Sequence, residues 1–204
     1  MRKLILATHN KHKLEEVRDI LSPLGIDVIG GDEVGLKDVS ETGTTFAENA
    51  LLKAQMAYEQ IRVPVLADDS GLCITAMNNE PGLYSARFAK EHGGYPAVFQ
   101  EVWKRMGNNP DRSAYFMCAM ALVVGPESKN AYSFSGRMNG QIADKASGTH
   151  LFGYDPIFIP DGYCETCGVL DPSVKNKISH RAQALKQLVA FLKEHKDVLN
   201  DSGR

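Results

Sequence analysis

Residues 3–21 read KLILATHNKHKLEEVRDIL and join the two patterns that decide the fold. The first six of these residues form an apolar run that is typical of a short buried strand. Leu14, Val17 and Leu21 then recur at helical spacing, which predicts a helix over 11–22 that Pro23 ends. Strand-like and helix-like patterns alternate further along the chain, so we predict an α/β protein built on a mixed sheet.

The remaining elements follow from the same patterns. Thr44 or Thr45 is placed to cap a second helix, with Glu48 in position for a capping box. Ser179 is placed to cap the last helix. The other predictions are a strand at 26–29, two strands around a tight acidic turn within 63–77, a helix at 96–106, paired strands within 113–125 and 130–142, and a short strand within 153–160.

Composition limits the kind of protein. The chain has 204 residues, of which 43% are hydrophobic, and its formal net charge is −2. This predicts a folded protein of one domain rather than a disordered chain. General nucleic-acid and membrane-surface binders are usually basic, so we expect neither partner. No apolar run approaches the roughly 18 residues of a membrane helix, and a cytoplasmic location is the default expectation.

The polar turn between the first strand and the first helix is a candidate anion site. A strand that ends in a polar loop and feeds a helix presents backbone N–H groups, and the helix dipole adds positive potential. Asn10 is a good candidate for the N-cap, and Lys11 and Lys13 add charge where the dipole disfavours it. The alternative is a plain surface cap with exposed lysines, and the turn alone does not decide between them.

The stretch ADDSG at 67–71 places Asp68 and Asp69 at the end of an apolar run. Successive strand residues point to opposite faces, so only a turn beginning here would bring both acids to one site. Hard oxygen ligands of this kind suit Mg²⁺; the alternative is an acidic turn in solvent. Lys53 shares a helix face with Asn49 and points either outward into solvent or into a cleft.

Two further stretches predict a pocket for a purine base. Phe152 and Tyr154, in FGYD, offer rings on which a base can stack. In KNKISHR, a cap at Ser179 puts His180 and Arg181 in the first turn of a helix, where they can donate hydrogen bonds to a keto oxygen. The alternative is a core aromatic beside a solvated basic turn.

Taken together, the motifs resemble the inosine triphosphate pyrophosphatase family. The resemblance runs from residue 4 to about residue 190, and the motifs that carry it are LATHNKHKLEE, ETGTTFAENALLKA, LADDSGL, PGLYSARFA, FGYDPIFIP and ISHRAQAL. It implies an α/β ITPase-like fold, in which a mixed twisted sheet is flanked by helices. It also implies a single domain over residues 1–204, made of two lobes with the active cleft between them, and a homodimer.

The family resemblance implies Mg²⁺-dependent hydrolysis of non-standard purine nucleoside triphosphates (ITP, dITP and XTP) to the monophosphate and pyrophosphate. Asp69, Lys13 and Asp68 are the expected catalytic residues, and Glu41 and Asp69 the expected metal ligands. Whether Asp68 or Asp69 activates water stays open. The expected substrate-binding residues are Thr8, His9, Asn10, Lys11, His12, Lys13, Lys53, Ser70, Phe152, Gly153, Tyr154, Asp155, Lys175, His180 and Arg181.

One stretch departs from the family pattern. GTHLFGYD stands where relatives more often have GTGGFGYD, so His150 and Leu151 replace two glycines and reduce backbone freedom there. This bears on substrate preference more than on reaction type. The alternatives are a related pyrophosphatase with another base preference, such as modified pyrimidine nucleotides, and a nucleotide-binding module without turnover.

Overall fold

The computed structural model describes residues 2–150 and 152–200. The helices are Lys11–Leu21 (α1), Phe46–Ile61 (α2), Ser85–Glu91 (α3), Tyr95–Met106 (α4), Pro172–Ile178 (α5) and His180–Glu194 (α6). The strands are Arg2–Leu6 (β1), Ile26–Gly30 (β2), Val65–Ile74 (β3), Glu80–Pro81 (β4), Ser113–Val123 (β5), Ala131–Ile142 (β6) and Phe158–Pro160 (β7).

The strands form one mixed sheet in the order β2-β1-β3-β5-β6-β7, with β4 paired to β3. β1 pairs in parallel with β2 and with β3, whereas the β3–β4 and β6–β7 pairs are antiparallel. The predicted α/β class with a mixed sheet is therefore confirmed. By its contacts the chain separates into two compact units.

The first unit runs from β1 to Asp69 and takes in Cys118–Ser135 and the C-terminal part from Gln183. Alternate residues of β1 contact different helices. Leu4 and Leu6 belong to the apolar cluster that contains residues of α1 and α6, whereas Ile5 belongs to the cluster that contains residues of α2. Helices thus cover both faces of the sheet in this unit.

The start of α2 follows the prediction. The Thr45 side chain caps the helix by accepting a hydrogen bond from the backbone N–H of Glu48 (3.1 Å). In return, Oε2 of Glu48 accepts hydrogen bonds from the backbone N–H (2.7 Å) and the hydroxyl (2.8 Å) of Thr44. Two threonines therefore share the capping role that was predicted for one or the other.

The second unit consists of Ser70–Met117 and Gly136–Ala182. Its apolar core includes Val98, Phe99 and Val102 of α4. Gly71 of β3 lies against the loop that precedes α3, because a Cβ atom there would be 2.1 Å from the carbonyl oxygen of Gly82. Only glycine fits this close approach of two backbone segments.

One predicted feature of the fold is wrong. Residues 65–74 form a single continuous strand, and no turn occurs at the acidic pair. Two short helices, α3 and α5, lie in stretches for which no helix was predicted. Across the two described ranges, no helix is both long enough and apolar enough to span a membrane.

Candidate functional site

The polar turn after β1 is organised by side-chain caps. Oδ1 of Asn10 accepts hydrogen bonds from the backbone N–H groups of His12 (3.0 Å) and Lys13 (3.3 Å), which confirms Asn10 as the N-cap of α1. The Thr8 hydroxyl oxygen accepts a hydrogen bond from the backbone N–H of Asn10 (3.2 Å). Asn10 already accepts hydrogen bonds from those two N–H groups. The positive potential that would attract an anion to this turn therefore comes from Lys13 and the helix dipole.

Lys13 turns toward the acidic strand. Its ammonium lies 2.8 Å from Oδ2 of Asp68, which is only 3% exposed. A buried carboxylate needs such a counter-charge, because leaving an ionised group alone in the interior costs several kcal/mol. The two residues come from α1 and β3, so packing of that helix on the sheet brings them together.

Asp69 lies among a different set of side chains. Its Oδ2 accepts a hydrogen bond from the Asn49 side-chain amide (3.1 Å), and its Oδ1 is 3.8 Å from the Lys53 ammonium. Lys53 donates a hydrogen bond to Oε1 of Glu41 (2.8 Å). The Lys53 side chain is 16% exposed and points inward, so of the two orientations left open by the sequence the structure has the inward one.

Burial governs the electrostatics of this group. It raises the pKa of Asp69 to about 6; the charges of Glu41 and Asp68 act in the same direction, whereas Lys53 and the Asn49 hydrogen bond act against it. Burial also opposes the charge on Lys53, but the neighbouring carboxylates outweigh it and raise the pKa of this lysine. Around Asp69, the negative charge of the carboxylates therefore exceeds the positive charge that Lys53 supplies.

The two adjacent acids lie on opposite faces of β3, which explains why no turn is needed. Leu66 shares an apolar cluster with residues of α1, whereas Val65 and Ala67 share one with residues of α2. By alternation, Asp68 meets Lys13 of α1 and Asp69 meets Asn49 of α2. The expectation that both acids project into one turn is wrong, since each has its own polar partner.

The donor set around Lys53 fits a divalent metal. Oxygens of Glu41 and Asp69 approach the same ammonium, so two carboxylates already attract one cation to a single position. Mg²⁺ usually takes one or two carboxylates and completes its shell with water and phosphate. Within residues 2–150 and 152–200, no group of three or more His, Cys, Asp or Glu side chains is arranged to hold a metal alone. Glu41 and Asp69 would therefore depend on other oxygen ligands.

The two histidines of the opening turn have different surroundings from Lys13. His9 is partly exposed, and its ring nitrogens face carboxylates of Asp32 and Asp38. The side chains of Lys11 and His12 are exposed at the start of α1. Of the residues predicted at this turn, Lys13 contacts the acidic strand through Asp68.

A second group of predicted residues belongs to the second unit. Lys175 of α5 forms an ion pair with Asp155, which is 4% exposed. The Lys175 ammonium also lies 5.0 Å from the centre of the Phe152 ring, a cation–π distance. Phe152 is partly exposed, so one ring and one lysine of the predicted base pocket are adjacent.

Tyr154 does not offer a stacking face. Its ring is 4% exposed and packs edge-on against Tyr95 at a centroid distance of 5.3 Å. Its hydroxyl donates a hydrogen bond to the carbonyl oxygen of Ser85 (2.8 Å). The expectation of a stacking face is therefore wrong for Tyr154, because the apolar core of the second unit takes its ring. Gly153 has a left-handed φ of +59°, which glycine favours in the turn between Phe152 and Tyr154.

The start of α6 holds the two predicted base-recognising residues. Ser179 accepts a hydrogen bond from the backbone N–H of Ala182 (3.1 Å), which confirms the predicted cap. The His180 ring stacks on Phe116 with centroids 4.9 Å apart and planes 11° apart. His180 and Arg181 are both buried, at 7% and 4% exposure, so neither belongs to a solvated basic turn.

Sequence reasoning missed some residues of these groups. Asn49 is buried in the apolar stripe of α2, and besides its contact with Asp69 its Oδ1 accepts a hydrogen bond from the backbone N–H of Gly43 (2.8 Å). An asparagine within an apolar helix face is the signal that identifies it.

Two positions that the sequence analysis did name remain. Ser70, an expected substrate-binding residue, is half-buried directly after Asp69 on β3. Leu151 lies outside the described residues, so its expected effect on the loop stays a prediction.

Comparison with known proteins is consistent with this arrangement. A protein from Oceanobacillus iheyensis named dITP/XTP pyrophosphatase is 44% identical over 196 residues, covering 94% of this chain and 98% of that protein. The structure of a HAM1 protein from Coxiella burnetii matches with a TM-score of 0.88 and 41% identity, covering 95% of this chain and 100% of that one. That of the Staphylococcus aureus Ham1 protein matches with a TM-score of 0.85 and 37% identity, covering 95% and 99%.

The match in structure makes this an α/β protein of the ITPase-like class, which confirms the resemblance read from the motifs. The model of the Ham1 family matches residues 4–191. The chain belongs to the Ham1 family.

Proposed function

We propose that this protein is an Mg²⁺-dependent nucleoside triphosphate pyrophosphatase that removes non-standard purine nucleotides from the nucleotide pool. It hydrolyses ITP, dITP and XTP to the monophosphate and pyrophosphate. Relatives that are 41–44% identical over at least 94% of this chain carry the name dITP/XTP pyrophosphatase, which supports the reaction and the substrate class.

One observation carries the chemical part of the proposal: the buried carboxylate of Asp69, with a pKa near 6, lies beside Lys53 and Glu41. Burial favours Asp69 over an ordinary aspartate as the acceptor of a proton from an attacking water, whereas a metal held by the same carboxylate would lower its pKa. Asp68 is held by the Lys13 ammonium and is the weaker candidate for this role.

The charges of the first unit suit a triphosphate. Lys13 and Lys53 supply two cations, and the α1 dipole points its positive end at the opening turn. Glu41 and Asp69 are the residues that would hold Mg²⁺. When bound, the metal supplies charge neutralisation for the phosphates and the pyrophosphate leaving group. Water attacks the α-phosphorus opposite the pyrophosphate leaving group. Lys13 and Lys53 orient this leaving group and neutralise its charge.

The residues of the second unit suit the base. His180 and Arg181 provide hydrogen-bond donors, which match the 6-keto oxygen of hypoxanthine and xanthine but meet another donor in the 6-amino group of adenine. The partly exposed ring of Phe152, beside Lys175, is the stacking face that remains after Tyr154 is assigned to the core. A base that leaves one of these donors unpaired binds less tightly, because an unsatisfied buried polar group costs free energy.

A nucleotide panel tests the proposal. The purified protein is incubated with Mg²⁺ and ITP, dITP, XTP, GTP, ATP or dUTP, and pyrophosphate and orthophosphate are measured separately. We expect pyrophosphate from ITP, dITP and XTP and little turnover of ATP. Release of orthophosphate, or equal turnover of ITP and ATP, would contradict the proposal. The expected homodimer is tested independently by light scattering in solution.

A further inference from the structure

The partners of His9 indicate a role that differs from a contact with phosphate. Its Nδ1 faces Oδ1 of Asp32, and its Nε2 lies 3.0 Å from Oδ1 of Asp38. Asp32 belongs to the short 3₁₀ helix Gly31–Val34, and Asp38 lies in the irregular stretch that follows it. One imidazole ring therefore joins the opening turn to two places on the chain that leads toward Glu41.

This irregular stretch, residues 36–43, is called the Glu41 loop here. At its start, the backbone N–H of Leu36 donates to the carbonyl oxygen of Gly31 (3.0 Å). At its end, the backbone N–H of Gly43 donates to Oδ1 of Asn49. The loop has no regular hydrogen-bonded structure, so it is held by side-chain contacts, namely the His9–Asp38 pair, the Lys37 N–H on Oε1 of Gln60 (3.3 Å) and the Lys53–Glu41 hydrogen bond.

The base of the loop packs closely on the opening turn. A Cβ atom at Gly31 would be 3.2 Å from the carbonyl oxygen of Thr8, so the two backbones are nearly in contact there. The backbone thus fixes the start of the Glu41 loop beside His9, and the ring then reaches Asp38, three residues before Glu41. A histidine at this position can orient the loop without touching a ligand.

We infer that His9 is a positioning residue that holds the Glu41 loop through Asp32 and Asp38, so that Glu41 stays at Lys53 and Asp69. The ring faces these two carboxylates, which differs from the direct contact with the triphosphate that the family resemblance implied. The consequence for the metal rests on the proposed function, because it takes Glu41 as a ligand of Mg²⁺. The consequence for the loop does not depend on it.

The size of the effect follows from exposure. The side chains of Asp32 and Asp38 are 63% and 93% exposed, so solvent screens both contacts. A contact between two exposed polar side chains shifts an equilibrium by up to about fivefold. We therefore expect a loss of one contact to change the population of the held loop a few-fold, not to unfold the protein.

Amide hydrogen exchange of the metal-free protein tests the positioning role. The variants are His9→Ala, Asp38→Ala and the double variant, with Glu127→Ala as a control that breaks another exposed ion pair, with Lys129 on the β5–β6 turn. We expect faster exchange over residues 36–43 in both single variants, no further change when Asp38→Ala is added to His9→Ala, and no change in the control. We expect Asp38→Ala to fold normally, because the Asp38 side chain is 93% exposed. Unchanged exchange in this variant would therefore overturn the inference.

Calorimetric titration of the same variants with Mg²⁺ gives the second readout. We expect the dissociation constant to rise by up to about fivefold in Asp38→Ala, which loses one contact, and by at least as much in His9→Ala, which loses two. Weaker nucleotide binding in His9→Ala, together with wild-type loop exchange and Mg²⁺ affinity in Asp38→Ala, would overturn the inference in favour of a direct phosphate contact. Faster loop exchange with unchanged Mg²⁺ affinity would support the positioning role and overturn Glu41 as a metal ligand, so the two failures are distinguishable.

Discussion

Replacing Asp69 by Asn should make the metal-free protein more stable while it removes activity. In the folded protein the pKa of Asp69 is raised from 3.8 to about 6, chiefly by burial. Between these two values the folded state binds more protons than the unfolded state, so stability falls as pH rises through this window. Above pH 6 the penalty is fully present, and below about pH 4 it is absent.

The magnitude follows from the size of the shift. A difference of about two pKa units corresponds to about 3 kcal/mol, at 1.36 kcal/mol per unit. Asp69 is only 6% exposed, so solvent screening reduces this value little. Asn is close to isosteric and its carbonyl oxygen can still accept the hydrogen bond from Asn49, while Lys53 keeps its 2.8 Å contact with Glu41. We expect a gain of about 2–3 kcal/mol at pH 8.

Urea unfolding in the presence of a chelator measures this gain at pH 8 and at pH 4, by circular dichroism and by fluorescence. Coincidence of the two signals is checked first, because two compact units can unfold separately. Asp19→Asn, at an exposed position of α1, is the matched control and should change stability by less than about 0.5 kcal/mol. Equal free energies of unfolding for Asp69→Asn and wild type at pH 8, or a gain in stability that persists at pH 4, would contradict a charge penalty at Asp69. Turnover should fall at least about a hundredfold, as for other lost general bases.

Three further substitutions test other contacts. Lys13→Ala removes the ammonium from the buried Asp68 carboxylate and should cost about 3 kcal/mol in urea unfolding, with most of the loss recovered by adding Asp68→Asn; no recovery would contradict the pairing. Tyr154→Phe removes the hydrogen bond to Ser85 and should cost about 1 kcal/mol while leaving the ITP-to-ATP ratio of kcat/KM unchanged; a changed ratio would return Tyr154 to the base pocket. Thr45→Ala should cost about 1 kcal/mol through loss of the α2 cap, and a thermal melt that matches wild type would argue against that cap.

Local patterns predicted the parts of the fold that depend on neighbours in sequence. The strand and helix at the N-terminus, the Asn10 and Thr45 caps and the Ser179 cap all follow from periodicity and from short-range hydrogen bonding. The motifs also led to the family. These features need no knowledge of what packs against them.

The acidic pair shows where such reasoning fails. Two adjacent aspartates at the end of an apolar run predict a turn if both acids are to share one site, because successive strand residues point to opposite faces. The partners that make the strand possible are Lys13 and Asn49, which lie on separate helices more than 15 residues away in sequence. The sequence left the orientation of Lys53 open for the same reason, since its partner Glu41 lies in an irregular loop whose position relative to the helix no local pattern predicts. Tertiary partners, not propensity, decide these positions.

The placement of Asp68 and Asp69 on opposite faces of one strand has a thermodynamic consequence. The two carboxylates are neighbours in the chain, so the charge on Asp68 makes ionisation of Asp69 harder. An anion that draws Lys13 away from Asp68 leaves both acids with less compensating charge, and a cation at Glu41 and Asp69 is then held more tightly. Linkage makes this coupling reciprocal, so a bound cation strengthens anion binding by the same factor. If the protein binds Mg²⁺ and a triphosphate as proposed, this single peptide unit would favour the two ligands together over either one alone.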